Sequence, residues 1–204
     1  MPDRPPLLSP RFEQAVCLAA EAHAAQVRRG SGVPAIAHLV AVAWILERAG
    51  FDEDVVIAGL LHDVVEDTPT SLDELRARFG PAVAALVAHS SEVKTDEQGR
   101  KRPWIDRKRD HLAALAGAPV EARAVVLADK LHNLLSIRAD LEAGRPIWSL
   151  FHADRESVLW YYAAMIAACE SSDSRLGQLA DQCRDILTAI EALGPIPSRA
   201  VPQD

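Results

Sequence analysis

Cysteine is scarce in this chain of 204 residues: Cys17, Cys169 and Cys183 stand far apart. The number is odd and no pair has tight spacing, so neither a disulfide framework nor a cysteine-based zinc cluster is expected. Three reduced thiols in or near a core fit a reducing cytoplasm. Long hydrophobic runs are missing too. Every apolar stretch is interrupted by charge well short of a membrane span, so no membrane partner is expected. The leading MPDRPPLLSP lacks the apolar core of a signal peptide. Nor is there an excess of positive charge. A net charge of -7 argues against a protein that coats nucleic acid. An anionic ligand remains compatible with it, because a metal and a few local cations can outweigh the global balance.

No segment shows the alternation of a half-buried strand, whereas helical spacing recurs throughout. Phe12, Val16, Leu18, Ala19 and Ala22 mark a helix between Pro10 and Val27, and RRGSGVP then breaks it. A second helix is predicted over 35–49, stopped by Gly50. Asp52 caps a third from Glu53 to Val65. Ser71 and Glu74 have capping-box spacing, and Pro81 suits a first helical turn. The polar stretch 90–103, SSEVKTDEQGRKRP, reads as a mobile loop. Further helices are predicted over 104–116, 120–141, 148–170 and 175–193. The fold class is therefore all-α. Residues 1–9 read as a flexible lead-in, 10–170 as the main domain, 171–194 as a C-terminal helical extension and 195–204 as a flexible tail.

The chemistry starts at AGLLHDVVEDT, residues 58–68. The helix leading into it is apolar nearly all round, so it is buried, yet it carries His62, Asp63, Glu66 and Asp67. An unpaired buried carboxylate costs several kcal/mol or stays protonated. A bound cation removes that problem. Glu66 and Asp67 taken alone also fit a salt-bridged helix end, although carboxylates at a helix C-terminus oppose its dipole. In VVLADKLHNLLSI, Asp129 and Asn133 lie four apart and share one helix face. They suggest a lined pocket; the alternative is Asp129 paired with Lys130 or Arg123 at the surface. His38 sits in the apolar PAIAHLVAVAW, where a lone histidine is ordinarily a satisfied core residue. His132 lies between Asp129 and Asn133 and is placed to buttress them.

Together, a histidine, a His-Asp pair and a distant aspartate on separate helices form the pattern of the HD phosphohydrolase superfamily. Such a mixed nitrogen and oxygen ligand set suits manganese, iron, cobalt or nickel with positions left open. Between Phe12 and Tyr162 the chain resembles one branch closely, the hydrolase domain of the Rel/Spo alarmone enzymes and the small stand-alone alarmone hydrolases. The resemblance rests on RGSGVPAIAH, AGLLHDVVEDT with SLDELRARFG, LADKLHN, and the segment 155–161.

That resemblance implies an HD helical bundle and hydrolysis of the 3′-pyrophosphate of guanosine tetra- or pentaphosphate, commonly with manganese. It implies His38, His62, Asp63 and Asp129 as metal ligands. Glu66 and Asp67 become the pair that orients and deprotonates the attacking water. Arg29, Asn133 and Tyr161 are implied on the nucleotide side, with a small-molecule nucleotide as partner. The departures fall there as well: Gly30 where the family often has lysine, Ala35 for tyrosine, and Leu135 for arginine. They leave the choice of base open. No synthetase region is expected in a chain of this length. Rival readings are an adenosine-alarmone hydrolase, an NADPH phosphatase, a nucleotidase, or a non-catalytic nucleotide sensor. The cations Lys94, Arg100, Lys101, Arg102, Arg107 and Lys108 form a local positive cluster, either solvated or a lid that gathers phosphate. The apolar stretch 156–168 is a candidate interface for a homo-oligomer.

Overall fold

In a computed structural model, residues 9–28 and 30–193 are described. Residues 1–8, Arg29 and residues 194–204, which include the tail, lie outside the described residues. The chain is all-α. Its helices are α1 (Pro10–Ala22), α2 (Ala35–Arg48), α3 (Glu53–Leu61), α4 (Val64–Asp67), α5 (Leu72–Phe79), α6 (Pro81–Ser90), α7 (Trp104–Ala116), α8 (Val120–Glu142), α9 (Arg155–Ala168) and α10 (Ser174–Ala192). A 3-10 turn at Ile147–Leu150 precedes α9. Among the described residues the only β-pairings are two isolated bridges, Val27 with Pro34 and Thr95 with Lys101.

The helix starts follow their sequence signals. The Asp52 carboxylate accepts from the Val55 N–H at 3.2 Å, and the Ser71 hydroxyl from Glu74 at 3.2 Å. Each satisfies an N–H that the first turn would otherwise leave open. Pro81 opens α6 directly after Gly80, whose φ of 91° ends α5 in a conformation that suits glycine.

Helix α8 forms the axis of the core. It packs against α2, α3, α6 and α10, while α7 and α9 pack on each other. Its Val125, Val126, Leu127, Leu131 and Leu134 are buried. Each contributes about 1.5–3 kcal/mol of burial free energy. Helix α10 lies along α8 and brings the Cys183 thiol within 3.7 Å of the Leu127 carbonyl, so α10 shares the central core. In α9 the side chains of Val158, Leu159, Tyr161, Tyr162, Met165 and Ile166 are buried within the chain, and Trp160 is its exposed large hydrophobic.

Three expectations need correcting. The helix predicted over 148–170 begins only at Arg155, after the 3-10 turn at Ile147–Leu150. The first helix stops at Ala22, where His23 turns the chain and its Nδ1 lies 2.8 Å from the Gln26 side-chain oxygen. The third helix does not run to Val65. It ends at Leu61, and α4 begins at Val64. The His62 Nδ1–H donates to the Gly59 carbonyl at 2.7 Å. That carbonyl is the acceptor an unbroken helix would offer to the Asp63 N–H. The break turns His62 and Asp63 toward one point.

Candidate metal centre and adjoining cleft

Three helices supply the centre. His38 comes from α2, His62 and Asp63 from the α3–α4 break, and Asp129 from the middle of α8. Gly59 fixes the approach of α3 to α2: a Cβ at this position would come within 2.3 Å of Leu46 Cδ1 and 3.3 Å of Val42 Cγ1. Only glycine allows the two helices to lie so close.

The ligand atoms converge. His38 Nε2 lies 3.1 Å from Asp129 Oδ1 and 3.9 Å from Asp63 Oδ2. His62 Nε2 lies 3.2 Å from Asp63 Oδ1 and 3.7 Å from Asp129 Oδ1. One donor atom each from His38, His62 and Asp129 fall within 4.8 Å of one another. His38, His62 and Asp129 are buried, whereas Asp63 is about one-third exposed, its side chain being 34% accessible.

Second contacts orient the imidazoles. Donation from Nδ1 to Gly59 aims the His62 Nε2 at the carboxylates, and Nε2 is buried without a hydrogen-bond partner. His38 Nδ1 lies 2.8 Å from His132 Nδ1. Burial, with the His38 and Arg28 charges, lowers the pKa of His132 to about 4, so it stays neutral and can accept from His38. His38 then presents a bare Nε2 as well. A ligating histidine whose other nitrogen donates elsewhere is the usual second shell of a metal site.

The electrostatics fit a cation. Burial pulls the His62 imidazole down, but Asp63 and Asp129 outweigh it and raise its pKa to about 9. The same field that holds this proton would be neutralised by a metal. His38 moves the other way, because burial outweighs its contact with Asp129. Burial also opposes ionisation of Asp129, yet Lys130 and the two histidines hold its carboxyl well below the usual range. Lys130 Nζ donates to Asp129 Oδ2 at 2.6 Å and the Asn133 amide to Oδ1 at 2.5 Å. The alternative partner foreseen for Asp129 is thus present, but half-buried beside the site and not at the surface.

The acidic pair sits one turn further on. Lys94 bridges it, with Nζ 3.0 Å from Glu66 Oε1 and 2.7 Å from Asp67 Oδ1. The Glu92 N–H donates to Glu66 Oε2 at 3.1 Å. Asp67 shares with His38, Asp63 and Arg28 a small chamber of about 200 Å³.

A larger cavity of about 420 Å³ adjoins it, with Arg28 in the walls of both. Asn133, Ser136, Trp104 and Tyr162 line it. Arg28 Nη2 donates to Asn133 Oδ1 at 2.8 Å. Arg29, the arginine implied by the motif, lies outside the described residues; Arg28, which sequence reasoning missed, faces Asn133. Tyr161 is not among the residues lining the cavity. It is buried, its hydroxyl 3.1 Å from His111 Nδ1 and its ring 4.5 Å from Lys108 Nζ. The adjacent Tyr162 lines the wall instead. Also missed was Glu92, which pairs with Arg107 at 3.1 Å and with Lys108.

Residues 15–156 match the HD domain family. The chain belongs to it. Within this HD family, the chain is 40% identical over 127 residues to a Synechocystis protein named probable guanosine-3′,5′-bis(diphosphate) 3′-pyrophosphohydrolase. That match covers 62% of this chain but 16% of the relative, so the chain spans under a fifth of that relative's length. The mouse guanosine-3′,5′-bis(diphosphate) 3′-pyrophosphohydrolase MESH1 is 35% identical over 172 residues, covering 83% of this chain and 90% of MESH1. A solved metazoan ortholog of SpoT, described as hydrolysing ppGpp, superposes with a TM-score of 0.71 at 28% identity. It covers 87% of this HD protein and 96% of the solved chain.

Proposed function

We propose that this protein is a metal-dependent hydrolase that removes the 3′-pyrophosphate from guanosine tetra- or pentaphosphate, yielding GDP or GTP. The observation that carries the reading is the His62 Nε2. It is buried, without a hydrogen-bond partner, and faces Asp63 and Asp129 beside His38, with Glu66 and Asp67 one turn away. The relatives' printed activity and the cavity next to the cluster support it.

His38, His62, Asp63 and Asp129 would hold a divalent transition metal, manganese in this reading. Bound there, the ion supplies Lewis acidity and makes a water molecule more acidic. Glu66 and Asp67 orient the attacking water and take its proton as general base. Water attacks the phosphorus attached to the ribose 3′ oxygen. The bond from that phosphorus to the 3′ oxygen breaks, the oxygen leaves with a proton, and pyrophosphate is released. Arg28 and Asn133 hold the nucleoside in the larger cavity, and Lys94 keeps the two carboxylates of the acidic pair together without direct charge repulsion. The buried, unpaired thiols of Cys169 and Cys183 are consistent with a cytoplasmic setting. No helix among the described residues is long and apolar enough to cross a membrane.

The test is to strip the protein of metal and incubate it with guanosine tetraphosphate, with and without manganese, separating the products. Pyrophosphate and GDP are expected only with metal and only when Asp63 is intact. Metal bound without turnover would overturn the guanosine assignment and move the search to adenosine alarmones, NADPH and ordinary nucleotides.

A further inference from the structure

Helix α8 lays one continuous face along the cleft. Asp129 reaches the metal centre, and Asn133, Ser136, Ile137 and Asp140 line the larger cavity. Steps of three and four residues keep them on one side of the helix. Arg28, shared with the metal-side chamber, donates to Asn133 and so marks the near end. Asp140 lies two turns further on. Eleven residues separate it from Asp129, about 16 Å along the helix axis. We propose that Asp140 reads the base of the nucleotide at its Watson–Crick edge and makes the far end of the cavity a guanine site. The inference rests on the proposed function and deepens it, by naming the residue that selects the base.

The placement of this acid carries the argument. Asp140 sits in the last turn of α8, where a carboxylate opposes the helix dipole. It is also buried, its side chain 9% accessible. Arg145, itself about half exposed, donates from Nη1 to Asp140 Oδ1 at 2.5 Å. That contact fixes the plane of the carboxylate. Among the described residues, none donates a hydrogen bond to Oδ2. The residue above Oδ2 is Gly30, on the turn closed by the Val27–Pro34 bridge. A Cβ there would stand 3.6 Å from Oδ2 and 2.9 Å from Leu150 Cδ1. Its φ of 87° favours glycine for a second reason. The turn thus comes down on the cavity without a side chain of its own to cover the carboxylate. Guanine offers two parallel donors, N1–H and the 2-amino group. A carboxylate offers two acceptors and no donor, so the two match. Adenine presents a bare N1 at the same place, and its lone pair would face the carboxylate with no proton between them. An acceptor buried against an acceptor forfeits its hydrogen bond to water without replacement. Trp104 and Phe151 in the cavity walls supply aromatic surface for the rest of the base.

The test reads base choice apart from turnover. Metal-free protein is titrated calorimetrically with GDP, ADP and inosine diphosphate, which lacks the 2-amino group. The unaltered protein is expected to bind GDP at least about tenfold more tightly than ADP, with inosine diphosphate between them. Equal affinity for GDP and ADP overturns the proposal, whatever any variant does. Asp140→Asn keeps the shape of the side chain. Because Arg145 holds Oδ1, the amide nitrogen takes the place of Oδ2 and turns an acceptor into a donor. This variant is expected to lose most of the preference for GDP. It should also gain affinity for xanthosine diphosphate, whose N1–H and 2-oxo group complement a carboxamide. An Asp140 that only paired with Arg145 to hold the fold would not produce that gain. A preference unchanged in Asp140→Asn, or lost without the gain for xanthosine diphosphate, overturns the role of Asp140. Absence of turnover on guanosine tetraphosphate alongside an intact preference for GDP would refute the proposed reaction instead, and leave the base site standing.

Discussion

Gly59 and Leu46 lie so close where α3 crosses α2 that a single methyl group at Gly59 would stand 2.3 Å from Leu46 Cδ1. Leu46 is fully buried and has little room to retreat. Gly59→Ala gains about 1 kcal/mol of helix propensity but forces an overlap that typically costs about 1–3 kcal/mol. The expected net effect is a modest loss of stability, seen as a lower midpoint in urea. A larger loss of metal affinity should accompany it, because His38 and His62 ride on the two helices being separated. Unchanged metal affinity would show that this crossing does not set the ligand spacing.

The two aspartates at the centre should behave differently. Asp63 is partly exposed, while Asp129 is buried against Lys130. Asp63→Ala is expected to lose metal and activity with less than about 1 kcal/mol of change in the metal-free protein. Asp129→Ala also leaves Lys130 buried without its carboxylate, an arrangement that costs about 3–5 kcal/mol. Thermal melts in chelator separate the two. Equal destabilisation by both substitutions would contradict the role assigned to Lys130.

Asp67→Asn should keep the metal and lose turnover. Removing a general base costs about 10²–10⁴ in rate. Manganese binding, followed by calorimetry, should stay within a few-fold of the unaltered protein. Full turnover by this variant would remove Asp67 from the chemistry.

Stability should fall in alkali for a reason located away from the metal centre. Burial raises the thiols of Cys169 and Cys183 from 9.0 to about 12. Burial likewise raises the Tyr162 hydroxyl to about 12. Above pH 9 the unfolded chain releases thiol protons that the folded chain retains, so unfolding becomes easier. Stability from each thiol is fully present below pH 9 and is lost as pH rises toward about 12, at about 1.4 kcal/mol per pH unit. Cys183→Ala should flatten the decline between these limits while costing some packing. An unaltered slope would place the alkaline transition in other groups.

The helices were legible because their signals are local. Asp52, Ser71 and Pro81 start helices in the structure as their chemistry requires. His38, His62 and Asp129 could be singled out because each interrupts an apolar run that has no other use for it, and the structure brings those three together. The break between α3 and α4 was hidden. LLHDVVED continues the apolar pattern, and what ends the helix is a side chain capturing the Gly59 carbonyl, which no periodicity records. The choice between Tyr161 and Tyr162 for the cavity wall depends on how a helix is rotated by one residue. The pairing of Glu92 with Arg107 and Lys108 joins residues 15 and 16 apart across a turn, beyond the reach of spacing rules.

Lys130 gives Asp129 an ammonium partner from its own helix, and Asn133 adds a second contact. The most deeply buried acid of the centre is thus satisfied as soon as α8 packs. Folding and metal loading are thereby uncoupled in time: the polypeptide can mature first and acquire its ion afterwards. A scaffold that folds without the ion does not use folding itself to select which ion arrives. Occupancy then rests on the geometry of the ligand set and on the relative supply of competing divalent cations, and a change in that supply would alter occupancy with no change in the amount of folded protein.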